Sequence, residues 1–145
     1  MPVALINLLK GRPRTVLRRV LVDVSAAMSQ ILDAPKARLV VWIPKHEQHL
    51  RALDGAPADE ALARGSLAEL EAPFVQMALM QGRPKERLHT IIAAATDVLA
   101  RALVCDRKRI RVQTASGDPD GWGVGGTPAR LVHGAEIAAR ASKRA

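Results

Sequence analysis

The chain has 145 residues, 48% of them hydrophobic, so it can bury one modest core or two very small ones. Its 22 Lys and Arg against 14 Asp and Glu give a formal charge of +8, a surface that attracts nucleic acid, anionic lipid or small carboxylates. Two Trp, one Phe and no Tyr are too few for base-stacking platforms, which argues against nucleic acid, and no apolar run approaches the ~20 residues a membrane-spanning helix needs.

Residues 3–9 are apolar on both faces, as in a strand covered on both sides. Gly11-Arg12-Pro13 breaks that strand, and the fixed φ of Pro13 suits entry to a helix. Leu17, Val20, Leu21, Val24, Met28 and Ile31 then form one helical stripe, which Asp33-Ala34-Pro35 ends. Residues 39–43 read as a second strand, parallel to the first because a helix crosses between them. A polar connector runs from 44 to 72, with a short helix expected over 61–70. The pattern then returns. Residues 74–80 are a strand, Leu88, Ile91, Ile92, Ala95, Leu99 and Leu103 a helical stripe, and 109–114 a partner strand. In that last strand Arg109, Arg111 and Gln113 share one face, and Ile110, Val112 and Thr114 the other. The tail from 135 to 145 is expected to fray.

The recurrence is in register. Pro2 returns as Pro73 and Arg12 as Arg83, a constant offset of 71 (73 − 2 and 83 − 12). One supersecondary unit has been duplicated: unit one spans 2–60, a connector 61–72, and unit two 73–134. Each unit alone is near the lower limit for independent folding, so the two are expected to share a sheet and to oligomerise. Only the first copy can present a free proline nitrogen, through removal of Met1. The nitrogen of Pro73 lies in a peptide bond and is not basic.

The repeat, the proline after Met1, the Gly-Arg turn ten residues on, and the aromatic in Gly121-Trp122-Gly123-Val124-Gly125-Gly126 together resemble the 4-oxalocrotonate tautomerase family. The likeness covers nearly the whole chain as two fused units. It implies an α/β (α+β) tautomerase fold: tandem β-α-β units in a four-stranded sheet with two helices on one face. It also implies a cofactor-independent keto–enol tautomerase for a small 2-oxo or 2-hydroxy-enoate carboxylate. Pro2 would be the catalytic base, with Arg12, Arg83, Arg111 and Trp122 lining the substrate, and no metal. Six units close the ring in hexameric relatives, so a two-unit chain implies a homotrimer, with a dimer of trimers as the alternative.

The residues themselves support part of this. A free α-amine titrates near ~8, and apolar surroundings and nearby cations both favour its neutral, basic form. Arginine can stabilise charge on a carbonyl oxygen and grip a carboxylate through two hydrogen bonds. The match of Arg111 in the first copy is Val40, and that of Trp122 is Arg51. Base and partners are thus divided between the copies, which implies composite sites within one chain or between chains. Arg38, the match of Arg109, is a candidate replacement for the arginine absent at Val40. Each assignment has a plain alternative: solvated turn arginines at 12 and 83, a surface ion pair at 111, ordinary packing at Trp122.

His46 and His49 lack a persuasive third ligand, and Cys105 lacks a positioned histidine. A single cysteine suits a reducing cytoplasm, and the apolar start has no basic region of a signal peptide before it. The other readings are a catalytically degenerate assembly or binding module, and a hydratase or dehalogenase of the same superfamily. Those last activities need a carboxylate to activate water; the turn after Trp122 offers only Val124, with Asp54, Asp118 and Asp120 as nearby carboxylates.

Overall fold

The computed structural model describes residues 1–143; Arg144 and Ala145 lie outside the described residues. Strand β1 (Val3–Leu9) buries Ala4, Ile6 and Leu8 and leaves Val3, Leu5 and Asn7 half-buried on its other face. Gly11, at φ 130°, makes the turn into helix α1 (Arg14–Leu32), whose N-cap Pro13 is extended at φ −60° and ψ 147°. Val20, Val24, Met28 and Leu32 form its buried stripe. Asp33 closes the helix in the left-handed region at φ 50°, and the Ala34 N–H returns to the Ser29 carbonyl at 3.1 Å.

After a 3₁₀ turn at Lys36–Arg38, β2 (Val40–Trp42) pairs parallel with β1, and β3 (Lys45–His46) pairs further along the same strand. A hairpin of β4 (Ala52–Leu53) and β5 (Ala56–Pro57) follows. The connector then holds two short helices, α2 (Ala58–Leu62) and α3 (Leu67–Leu70), where one was expected. Ser66 and Glu69 start α3 with reciprocal side-chain to backbone hydrogen bonds.

The second copy repeats each step 71 residues on. It comprises β6 (Phe74–Met80), α4 (Lys85–Leu103), β7 (Arg111–Gly117), the hairpin of β8 (Gly123–Val124) and β9 (Thr127–Pro128), and α5 (Ala129–Val132). Even single hydrogen bonds recur: Ala58 N–H donates to the Arg51 carbonyl and Ala129 N–H to the Trp122 carbonyl, both at 2.7 Å.

The sheet order is β2-β1-β6-β7, parallel within each copy and antiparallel where β1 meets β6. Counting β3, the sheet has five strands rather than four. Pro44 explains the difference. It has no N–H to give to a ladder, so it splits into β2 and β3 what the second copy, with Ala115 there, keeps as the unbroken β7. Strand β7 also starts later than expected, because Arg107–Arg109 form a 3₁₀ turn capped by Asp106.

One core joins both copies, with α1 and α4 packed on the face of β1 and β6 that carries Ala4, Ile6, Leu8, Val75, Met77 and Leu79. On the opposite face Val3, Leu5, Phe74, Ala78, Arg111 and Gln113 are half-buried or exposed; only at its end, where Leu9 is buried against Leu53 and Ala58, is β1 covered on both sides as its apolar run suggested. The tail does not fray over its first part. Residues Gly134–Ser142 form helix α6, favoured by four alanines and by a Glu136–Arg140 pair one turn apart, and docked by Glu136 on Arg38. No described helix is long and apolar enough to cross a membrane.

Candidate active site

Pro2 opens β1 on the core side of the strand, like Ala4 and Ile6, and is buried. Because β1 runs antiparallel to β6, this end of β1 lies beside Ala78 and Met80. Four segments meet there: the chain start, the turn after α1 (Ala34, Pro35, Arg38), the turn after β6 (Met80, Arg83), and α6 (His133, Glu136, Arg140). They enclose a cavity of about 20 Å³, room for about one water. A second cavity of about 80 Å³ shares Arg83 and Arg140 with the first and adds Arg87 and Lys143.

Three arginines therefore line the Pro2 cavity with one carboxylate, Glu136. Arg83 is the most buried of them, and its Nη1 donates to the Met80 carbonyl at 2.8 Å. Burial first, then Arg140 and Arg87, lower its pKa to about 10, so the guanidinium remains cationic at neutral pH. The terminal amine at Met1 is pushed below its ordinary value by burial, then by Arg83, Arg140 and Arg38, with Glu136 opposing. Those are the two effects that favour a neutral amine.

The matched turn of the other copy is arranged differently. Arg12 donates from Nη2 and Nε to one oxygen of Glu71, at 2.6 and 3.1 Å, and from Nη1 to the Leu103 carbonyl. The other Glu71 oxygen accepts the Leu9 N–H at 2.7 Å. Glu71 is fully buried and the Arg12 side chain is 9% exposed. A carboxylate of the protein itself fills the arginine site beside Pro73, so Arg12 is a structural residue here.

Arg111 and Trp122 do not join Pro2 within the chain. Arg111 and Asn7 pair with the same residue, Phe74, which sets Arg111 five residues along the sheet from Pro2, on the order of 16 Å, and on the open face. It donates to the carbonyl of Lys108 at 2.6 Å. Trp122 packs on Gly117, where an added Cβ would lie 3.3 Å from the indole, and it lines neither cavity. Arg51, which holds Trp122's place in the first copy, donates to the Ala72 carbonyl. Cys105 has its thiol pushed up, chiefly by burial, which disfavours a nucleophilic thiolate.

Sequence reasoning missed Glu71, His133, Glu136 and Arg140. Glu71 had a legible signal: it stands two residues before Pro73, where the first copy has no residue to match. The α6 residues had a weaker one, the Glu136–Arg140 spacing in an alanine-rich run. Arg38, singled out as a replacement arginine, does line the Pro2 cavity.

Residues 73–131, one repeat unit, match the family described as "Tautomerase enzyme". The tautomerase-family match is thus to the second copy. Among solved structures, a native fused 4-OT superposes with a TM-score of 0.79 at 22% identity, over 90% of this chain and 98% of that one. A wild-type fused 4-OT described as an asymmetric trimer gives 0.78 at 18% identity over the same shares. Pt0534 inactivated by 2-oxo-3-pentynoate gives 0.74 at 18%, again over 90% and 98%. At these identities the likeness establishes the tautomerase fold. No curated protein sequence matches the chain.

Proposed function

We propose that this protein interconverts the enol and keto forms of a small 2-oxo acid, with the Pro2 amine as its acid/base group and no cofactor. The observation that carries this reading is a buried Pro2 sharing one cavity with Arg38, Arg83 and Arg140. Removal of Met1 moves the free amine onto Pro2, into the surroundings that already depress the Met1 amine. The neutral amine takes the enol hydroxyl proton and the resulting ammonium returns a proton to carbon; the reverse direction exchanges the two roles. Negative charge that develops on the oxygen faces Arg83, a contribution of about 3–4 kcal/mol if comparable to an oxyanion-hole donor.

Arg111 and Trp122 enter such a site only from a neighbouring copy. The sheet face on which Arg111 and Gln113 are exposed gives that copy a surface to pack on, and the trimeric state of the fused 4-OT neighbour fits the same arrangement.

Hydration of an acrylate is the second reading, because Glu136 is a carboxylate lining the Pro2 cavity. Arg38 holds Glu136 below its ordinary pKa, which makes it a poor base for activating water. Tautomerisation is therefore the better fit. Ketonisation of phenylenolpyruvate by the wild type and by Pro2→Ala, with the mass of each purified chain, tests it. Loss of Met1 and a large drop in the variant are expected. Equal rates, or a mass that retains Met1 in an active protein, remove Pro2 as the base.

A further inference from the structure

Glu136 is the exposed counterpart of Glu71. Arg38 Nη1 lies 2.8 Å from both of its oxygens, Arg140 Nη2 3.8 Å from one, and His133 Nδ1 4.0 Å from the other. A carboxylate of the protein thus sits among cationic groups at the mouth of the Pro2 cavity, as Glu71 sits on Arg12 beside Pro73. The two differ in permanence. Glu71 is fully buried and held by Arg12 and the Leu9 N–H, whereas Glu136 is 44% exposed and its partner Arg38 37% exposed. Helix α6 has no fully buried residue to fix it in place. With Met1 in place the cavity beneath has room for about one water, and Glu136 stands at its mouth on the two arginines an incoming carboxylate would take.

We propose that Glu136 is an internal stand-in for the substrate carboxylate, and that binding is an exchange in which the incoming carboxylate takes Arg38 and Arg140 as Glu136 and α6 move aside. The proposal rests on the carboxylate-substrate reading above and adds its regulation. Glu71 performs the same occupation without exchange, which closes the second arginine site. Glu136 competes with the ligand for the same guanidinium, so it is a positioning and specificity residue: it rejects neutral ligands that cannot replace its charge.

Calorimetric binding of cinnamate, a carboxylate that cannot tautomerise, with cinnamide as its neutral analogue, tests the exchange in the full chain. Glu136→Gln is expected to bind cinnamate more tightly, on the order of fivefold as for an exposed ion pair removed from competition. Wild type is expected to bind cinnamide far more weakly than cinnamate, and Arg38→Gln to weaken cinnamate severalfold. Amide hydrogen exchange over 134–142 should quicken when wild type binds cinnamate. Glu136 is exposed, and a circular dichroism melt of Glu136→Gln alongside Glu136→Ala controls for folding. Unchanged or weaker cinnamate binding in both folded variants overturns the proposal. Because no proton transfer is read, these shifts in a protein that fails to ketonise enols would sink the tautomerase reading and leave the exchange standing.

Discussion

Arg12 and Arg83 occupy matched turns with matched backbones, and the residue that separates their roles is Glu71. Its carboxylate neutralises Arg12 inside the protein, whereas Arg83 lines the Pro2 cavity. Glu71→Ala strands a buried guanidinium, and a loss of about 3–5 kcal/mol of stability is expected from urea denaturation. Arg83→Met is expected to act on the proposed chemistry instead. Removing a cation near the amine raises the amine pKa, so more of it is protonated at a given pH. The acid limb of the kcat/KM profile should move to higher pH, and kcat/KM at its plateau should fall on the order of 10²–10³-fold. An unshifted limb would show that Arg83 does not sense the base.

At the scale of elements, the duplicated helices end alike with unequal residues. Asp33 at φ 50° tolerates the left-handed conformation, but Val104 adopts φ 52° as a β-branched, exposed residue. Val104→Gly should therefore stabilise the protein by about 0.5–1 kcal/mol, measured as a higher thermal midpoint. No change would mean that the gain in unfolded-chain entropy offsets the relieved strain. Strands β1 and β6 were legible as continuous apolar runs, and helices α1 and α4 as apolar stripes at helical spacing, on either side of Gly-Arg-Pro breaks. Helix α6 was not, because a short alanine-rich run beside the chain end reads as a loose tail until its tertiary ion pair, Arg38–Glu136, is seen. Pro44 was visible in the sequence, yet its effect on β2 and β3 could be judged only against the unbroken β7.

Across the whole molecule, the division of function between copies becomes a statement about assembly. Pro2 lies on the helix side of one sheet end, and Arg111 on the open side of the other. Light scattering is expected to give three times the 15.6 kDa chain mass. Pro2→Ala and Arg111→Ala, each of low activity alone, should recover activity when unfolded and refolded together, since a mixed trimer can pair an intact proline with an intact arginine. Absence of recovery in verified mixed trimers would place Arg111 outside the site. The proposed composite site follows from the repeat, because Pro2 and Arg111 fall in different copies. The antiparallel meeting of β1 and β6 is what keeps the two apart within one chain.

The central claim is a Pro2 amine kept neutral by burial and by Arg83, Arg140 and Arg38. The pH dependence of kcat/KM for phenylenolpyruvate ketonisation tests it most directly. A rise with pH through a pKa below the ~8 of a free amine, then a plateau, is expected, both absent in Pro2→Ala. A wild-type profile that coincides with that of Pro2→Ala, or an inflection at or above the free-amine value, would contradict it.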